Sequence, residues 1–106
     1  MIELTDFEKI EIKIGTVTEA EKVERSEKLI KLTIDFGSEQ RTIVTAMAQY
    51  YEPEHFTGKQ MPFIMNLKPR KFLGIESQGM IMAADIDGKP ILIHLEKEVP
   101  NGTMIR

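Results

Sequence analysis

The sequence contains no cysteine and no tryptophan, and aromatic residues make up only 7% of its 106 residues. Without cysteine there can be no disulfide, no thiolate zinc or iron–sulfur site and no cysteine nucleophile. The absence is also typical of a reducing compartment. Because large aromatic rings are scarce, we expect a core built mainly from aliphatic side chains and methionine.

Long apolar segments are missing as well. No run approaches the roughly 20 apolar residues that a membrane-spanning helix needs, and residues 1–6 are acidic where a secretory signal would be basic. We therefore expect a cytoplasmic protein without membrane contacts. A length of 106 residues is close to the commonest domain size, which predicts a single domain over residues 1–106.

Basic residues are outnumbered, and the formal net charge of −3 argues against a nucleic-acid partner when the chain is taken as a whole. The charges are unevenly distributed, however. Residues 55–75 contain four bases and no acid. These bases are Lys59, Lys68, Arg70 and Lys71. The segment is therefore either a solvated basic loop or a site for an anionic ligand.

Catalytic motifs are absent. A hydroxyl nucleophile needs a nearby base, and the sequence has only two histidines, His55 and His94, to supply it. The alternation around His94 predicts that it lies on the polar face of a strand. Residues 74–79 lack the spacing of a nucleophile elbow, and residues 85–89 lack that of a calcium loop. No phosphate loop or dinucleotide fingerprint is present. We therefore expect no catalytic residue, no metal site and no cofactor.

Apolar and polar residues alternate with period two through much of the chain, which predicts strands. The predicted strands cover residues 10–14, 30–36, 41–46, 61–67, 79–84 and 91–95. A parity break at Gly15 predicts a bulge or a sharp bend in the strand. The capping-box pattern from Thr5 to Glu8 predicts a short N-terminal helix, and Pro53 favours another within residues 50–58.

Short strands at regular spacing, with a short helix after the third, predict a small closed barrel. We expect an all-β OB fold, the five-stranded Greek-key oligonucleotide/oligosaccharide-binding barrel, with short helices and terminal extensions. A β-sandwich is the alternative. Met65, Met80 and Met82 fall in strand patterns and are expected to pack in the core.

Residues 66–80 carry the most informative pattern. Pro69 fixes its own φ and biases Lys68 toward an extended form, so Lys68 and Arg70 lie on a stiff turn that loses little entropy on binding. Arg70 offers a planar fork to a phosphate. These features favour an anionic ligand.

Other side chains of the same segment suit RNA. Asn66 and Ser77 have short polar groups that can hydrogen-bond a phosphate, a 2′-hydroxyl or a base edge. Phe72 can stack on a base. A turn-forming role for Asn66 and a core position for Phe72 are the alternatives.

The pattern N-L-x-P-R-K over residues 66–71, followed by Gly74 and by E-S-x-G-M over residues 76–80, resembles the signature of a tRNA-binding domain. This domain is found at the C-terminus of many methionyl-tRNA synthetases, as a β-subunit, and in free-standing structure-specific tRNA-binding proteins. A chaperone-like bacterial branch also has it. The resemblance extends to residues 7–15, 26–29 and 99–102, and the run at residues 82–84 is similar to the synthetase type.

The resemblance implies an OB-fold module without catalysis of its own. Such a module binds the tRNA elbow by shape and charge and raises the tRNA affinity of methionyl-tRNA synthetase. It implies three partners: tRNA, a second copy in a homodimer, and the catalytic part of the synthetase. Residues 99–105 could take part in dimerisation or form a closing strand. Carried over position by position, the RNA-binding candidates are Lys28, Lys31, Asn66, Lys68, Arg70, Lys71, Ser77 and Met80.

Two other functions remain open. One is a chaperone-like, peptide-binding dimer of the same fold, and the other is a general single-strand-binding barrel. The acid-free basic segment favours tRNA over the peptide. The lack of a ladder of exposed aromatics disfavours the single-strand binder.

Overall fold

The computed structural model describes all 106 residues, and its regular backbone is almost entirely β-strand. The strands are β1 (Ile12–Lys22), β2 (Ile30–Asp35), β3 (Gln40–Thr45), β4 (Gln60–Ile64), β5 (Arg70–Phe72), β6 (Ile75–Ser77), β7 (Met80–Ile81), β8 (Ala83–Ile86), β9 (Lys89–Leu92) and β10 (Met104–Ile105). The helices are α1 (Leu4–Phe7) and a 3₁₀ turn (Pro53–His55), and neither is long and apolar enough to cross a membrane. The all-β prediction is confirmed.

Strand β1 is shared between the two halves of one curled antiparallel sheet. Its first half pairs with β4, from Ile12 opposite Ile64 to Thr16 opposite Gln60, and its second half pairs with β2. The sheet has the order β3-β2-β1-β4-β7, and β10 pairs with the start of β1. Because one long strand serves both halves, the sheet curls around a single core. The architecture is therefore the predicted OB-like barrel and not a β-sandwich.

The gap in the barrel between β3 and β7 is bridged by individual hydrogen bonds, two of them to side chains, rather than by a strand ladder. The Ser77 Oγ accepts a hydrogen bond from the Val44 N–H at 2.9 Å. The Gln78 Oε1 accepts one from the Thr42 N–H at 3.0 Å, and the Gln78 N–H donates to the Thr42 carbonyl at 2.8 Å. These bonds occupy backbone hydrogen-bonding groups at the edge of β3 and attach Ser77, the last residue of β6, and Gln78 after it to the barrel.

The irregularity predicted at Gly15 lies further along the strand. The register of β1 against β4 is continuous through Gly15, and the register against β2 shifts between Val17 and Glu19. A Cβ at Gly15 would lie 2.7 Å from Phe36 Cε1. Glycine therefore leaves room for this ring, which packs edge-to-face on Phe63 with centroids 5.5 Å apart.

The core is aliphatic and methionine-rich, as expected, with three phenylalanines added. Its fully buried residues include Val17, Ile30, Leu32, Ile34, Ile43, Phe56, Met61 and Phe63. Burying each such side chain is worth roughly 1.5–3 kcal/mol. Met65 is buried as predicted and Met82 is half-buried. The core prediction is wrong for Met80, which is 47% exposed, and Leu67 at the end of the predicted fourth strand is also exposed.

Two local predictions need correction. Helix α1 is present, but it is capped by Glu3, whose N–H donates to Asp6 Oδ2 at 3.1 Å, and not by the predicted box at Thr5. The strand predicted over residues 79–84 is divided at Met82 into β7, which belongs to the main sheet, and β8, which does not.

The C-terminal third follows the predictions more closely. Asp87 and Gly88, with φ of 50° and 84°, form the turn of the β8–β9 hairpin. Strand β9 ends at Leu92, earlier than predicted. Residues 99–105 contain the closing strand β10, which pairs with Ile12 and Lys13.

Candidate nucleic-acid interface

Strands β5 and β6 form a hairpin over residues 70–77, which the sequence prediction missed. Arg70 lies opposite Ser77 and Phe72 opposite Ile75. The turn residues between them are Leu73 and Gly74, with φ of 50° and 83°, the pairing typical of a type I′ turn. Leucine is a poor residue for a positive φ, so only Gly74 signalled the turn. We refer to residues 66–78 as the basic hairpin segment.

The basic hairpin segment borders a groove beside the end of β3. The groove has a volume of about 710 Å³. Residues 44–46 line it, and Leu67, Phe72 and Met80 add apolar surface. Lys68 and Arg70 also line the groove and are exposed. The groove therefore combines an apolar surface with positive charge, which suits a ligand that has both stacked rings and phosphates.

The cations of the segment have no acidic partner. All five ion pairs of the structure lie elsewhere, so no carboxylate neutralises Lys68, Arg70 or Lys71. Glu76 is opposite Lys71 in the ladder but forms no ion pair with it. The Arg70 guanidinium lies 5.0 Å from the centroid of the Phe72 ring, within cation–π distance. Three positive charges that form no ion pair are therefore held close together, Lys68 just before β5 and Arg70 and Lys71 within it.

Asn66 and Ser77 lie near the two ends of the segment, and both side chains form hydrogen bonds within the protein. The Asn66 Oδ1 accepts from the Glu11 N–H at 2.8 Å, and its Nδ2 donates to the Lys9 carbonyl at 2.6 Å. Ser77 is 4% exposed, and its hydroxyl donates to the Gly79 carbonyl at 3.1 Å while accepting from β3. Both residues therefore help to attach the hairpin to the barrel, and the exposed Asn66 keeps a second amide N–H that forms no hydrogen bond within the protein.

The remaining sequence candidates are more dispersed. Met80 is exposed at the groove. Lys28 is exposed beside the end of β3, where its carbonyl accepts from the Ala48 N–H at 2.9 Å. Lys31 pairs with Glu21 at 3.3 Å and lines a second depression, which the hairpin tip residue Leu73 also lines. The structure thus gathers Lys68, Arg70, Ser77 and Met80 around one groove and places Lys31 on another side of the hairpin.

Sequence reasoning missed two residues that attach the hairpin to the barrel, Arg41 and Gln78. Arg41 hydrogen-bonds Glu39, Met65 and the Gln78 carbonyl. Its hydrogen bond to Glu39 lowers the pKa of that carboxyl group below its ordinary value. Nothing in the alternation of β3 distinguishes Arg41 from an ordinary outward-facing residue. No group of three or more His, Asp or Glu side chains is placed to hold a metal ion.

Comparisons with known proteins agree with this geometry. A family model described as "Putative tRNA binding domain" matches residues 12–104. A methionine–tRNA ligase of Archaeoglobus fulgidus is 54% identical over 104 residues, which are 98% of this chain and 16% of that enzyme. The chain therefore spans about a sixth of the length of the curated relatives that it matches.

Two solved structures have the same fold over the full chain. A methionyl-tRNA-synthetase-related protein from Pyrococcus horikoshii superposes with a TM-score of 0.96 and 47% identity, covering 100% of this chain and 98% of that one. The chaperone CsaA of Bacillus anthracis has a TM-score of 0.88 and 29% identity, with 100% and 99% coverage.

Proposed function

This chain belongs to the tRNA-binding domain family, and on that premise we propose that it binds the tRNA elbow through the basic hairpin segment and the groove beside it. We further propose that residues 1–106 act as one domain. One observation carries the proposal: Lys68, Arg70 and Lys71 are exposed, lack acidic partners and stand on an element held at both ends. Positive charge in a fixed arrangement recognises a phosphate backbone by shape, without reading base sequence.

The side chains divide into contacts and supports. Lys68 and Lys71 would contact phosphates, and the Arg70 guanidinium, stacked on Phe72, would bind a phosphate or an unpaired base. Met80 would add an apolar contact in the groove. Lys28 and Lys31 would extend the basic surface beyond the groove. The supports are Asn66 and Ser77, because their polar groups are already bonded within the protein.

The domain itself would catalyse nothing and would serve a synthetase. Joined or bound to the catalytic part of methionyl-tRNA synthetase, it would raise the local concentration of tRNA at that enzyme and so its apparent tRNA affinity. Its place of action would be the cytoplasm. The match to 16% of the full-length ligases supports this accessory role.

A homodimer is part of the proposal. Large apolar side chains are exposed away from the groove, including Ile86 at 57%, Ile91 at 45% and Ile93 at 38%. Ile2 and Leu4 near the N-terminus are exposed at 70% and 72%. Exposed apolar surface on the β8–β9 hairpin and near the N-terminus favours burial against a second copy. Sedimentation at micromolar concentration should give about twice the mass of 12.1 kDa, and a monomer would contradict the dimer.

The function is tested by comparing full-length tRNAs with a fragment that retains the anticodon stem but lacks the elbow. Filter binding should give similar affinities for several tRNAs and much weaker binding to the fragment. Equal affinity for the fragment, or for an unstructured single strand, would contradict elbow recognition.

Peptide binding is the second candidate, because the groove has an apolar wall and the fold matches a chaperone at 29% identity. Under this alternative, unfolded polypeptide would compete with tRNA for the groove. Tight tRNA binding with no measurable binding of unfolded polypeptide would eliminate it.

A further inference from the structure

We propose that Arg41 is the positioning residue of the RNA-binding surface: its guanidinium joins the two ends of the basic hairpin segment. This inference rests on the proposed function and adds the element that fixes its geometry. Arg41 itself is not a contact to RNA in this proposal. It acts through the cations of the segment.

The geometry is a clamp across the base of the hairpin. The Arg41 Nη1 donates to the Met65 carbonyl at 2.7 Å and to the Gln78 carbonyl at 3.1 Å. Met65 immediately precedes the basic hairpin segment, and Gln78 is its last residue. A single side-chain nitrogen of Arg41 therefore binds both connections between the hairpin and the barrel.

The rest of the guanidinium is oriented by Glu39. The Arg41 Nε donates to Glu39 Oε1 at 2.6 Å and the Nη2 donates to Glu39 Oε2 at 3.4 Å. Four of the five guanidinium N–H donors are thus engaged inside the protein. The side chain is also only 23% exposed. A residue so fully engaged has little capacity left for a phosphate, which is why we assign it to positioning.

Positioning matters here because the hairpin strands do not join the main sheet, and the hydrogen bonds that attach the segment to the barrel lie at its base. Its two strands pair only with each other, as a two-stranded sheet separate from the main sheet, and an isolated two-stranded hairpin is at best marginally stable in water. Fixing both connections reduces the freedom that Lys68 and Arg70 would otherwise lose on binding.

The test uses tRNA binding by three variants. Arg41→Met removes the clamp, and Arg41→Lys keeps the charge but cannot reproduce the planar fork. Lys13→Met is the matched control, since Lys13 is 24% exposed, forms an ion pair with Glu11 and also acts electrostatically on Glu39. Both Arg41 variants should bind tRNA about tenfold more weakly than the wild type, the scale of coupling within one hydrogen-bond network, and the control should bind as the wild type does.

Two measurements separate positioning from other roles. Amide hydrogen exchange in residues 70–77 should become faster in both Arg41 variants, while exchange in β1 and β2 stays unchanged. In a Lys68→Ala/Arg70→Ala background, measured at low salt, Arg41→Met should reduce affinity clearly less than it does in the wild type, because the cations that it positions are gone.

Several results would overturn the inference. Wild-type affinity in Arg41→Lys would mean that only the charge matters. An equal loss in both backgrounds would mean that Arg41 acts independently of the hairpin. If Arg41→Met does not fold, hydrogen exchange and tRNA affinity in the two backgrounds are measured with Arg41→Lys. Failure of the wild type to bind tRNA would contradict the proposed function instead, and the exchange measurement would still decide whether Arg41 clamps the hairpin.

Discussion

The barrel and the basic hairpin segment are stabilised in different ways. Strands β1 to β4 pair along ladders of five or six residue pairs and enclose side chains that are fully buried. The hairpin pairs only with itself and is attached at its base by polar side chains from Asn66, Ser77, Gln78 and Arg41. The fold therefore depends on apolar packing, and the geometry of the binding surface depends on a few hydrogen bonds. Substitutions in the two regions should have separable effects on stability and on binding.

The largest contrast is expected between two phenylalanines. Phe63 is fully buried and packs on Phe36, whereas Phe72 is half-buried in the hairpin beside Arg70. Phe63→Ala should lower the free energy of unfolding by about 3–5 kcal/mol through cavity formation. Phe72→Ala should lower it by about 1 kcal/mol or less. Denaturant titration measures both changes.

For tRNA affinity the order should reverse, with the larger loss in Phe72→Ala. Loss of a stacking ring costs about 1–3 kcal/mol per base, roughly five- to 150-fold in affinity, so Phe72→Ala should weaken tRNA binding by a factor in this range. Phe63→Ala, assayed where it remains folded, should retain most of its affinity. A destabilised Phe72→Ala with normal tRNA affinity would place Phe72 in the fold and not in the binding surface.

The next effect concerns charge. Replacing Lys68, Arg70 or Lys71 by alanine should weaken binding to all tRNAs and reduce the salt slope of log affinity by about one, as expected for one phosphate contact. Stability should change by no more than about 0.5 kcal/mol, because these side chains are exposed.

Lys59 is the matched control for this series. It belongs to the same acid-free stretch of sequence, is exposed and lacks an ion pair, but it lines a different depression with Gln60 and Thr16. Lys59→Ala should leave the slope unchanged. If it reduces the slope as much as Lys68→Ala does, charge alone and not the hairpin determines binding.

The same two regions differ in how far the sequence predicts them. The barrel strands were predictable because period-two alternation directly reflects burial, as Ile30, Leu32 and Ile34 illustrate with zero exposure. The bulge was predicted at Gly15 instead of between Val17 and Glu19, because the sequence does not show that this glycine makes room for the ring of Phe36. Local pattern thus identifies strands but not the packing between them.

The binding surface was only partly predictable. Its cations were evident from the missing acids, and the family resemblance supplied the candidate list. The supporting contacts were not evident, because a hydrogen bond such as that from Gln78 Nα to the Thr42 carbonyl joins residues 36 positions apart. The sequence predicts Ser77 and Asn66 as RNA contacts, but it cannot show the hydrogen bonds that both side chains also form within the protein.

The smallest expected effect links the two regions through pH. The hydrogen bond from Arg41 lowers the pKa of Glu39 below its ordinary value of 4.5, so the ionised carboxylate stabilises the folded state. That contribution is complete above pH 4.5 and is lost as the pH falls through the lower folded-state pKa. Because Glu39 is 42% exposed, it should amount to at most about 1 kcal/mol and decrease with salt. Urea unfolding of the wild type and of Glu39→Gln should therefore differ at pH 7 and converge at low pH, since all other carboxylates are common to both. A difference that persists unchanged to pH 2 would show that Glu39 acts through its shape and not through its charge on Arg41.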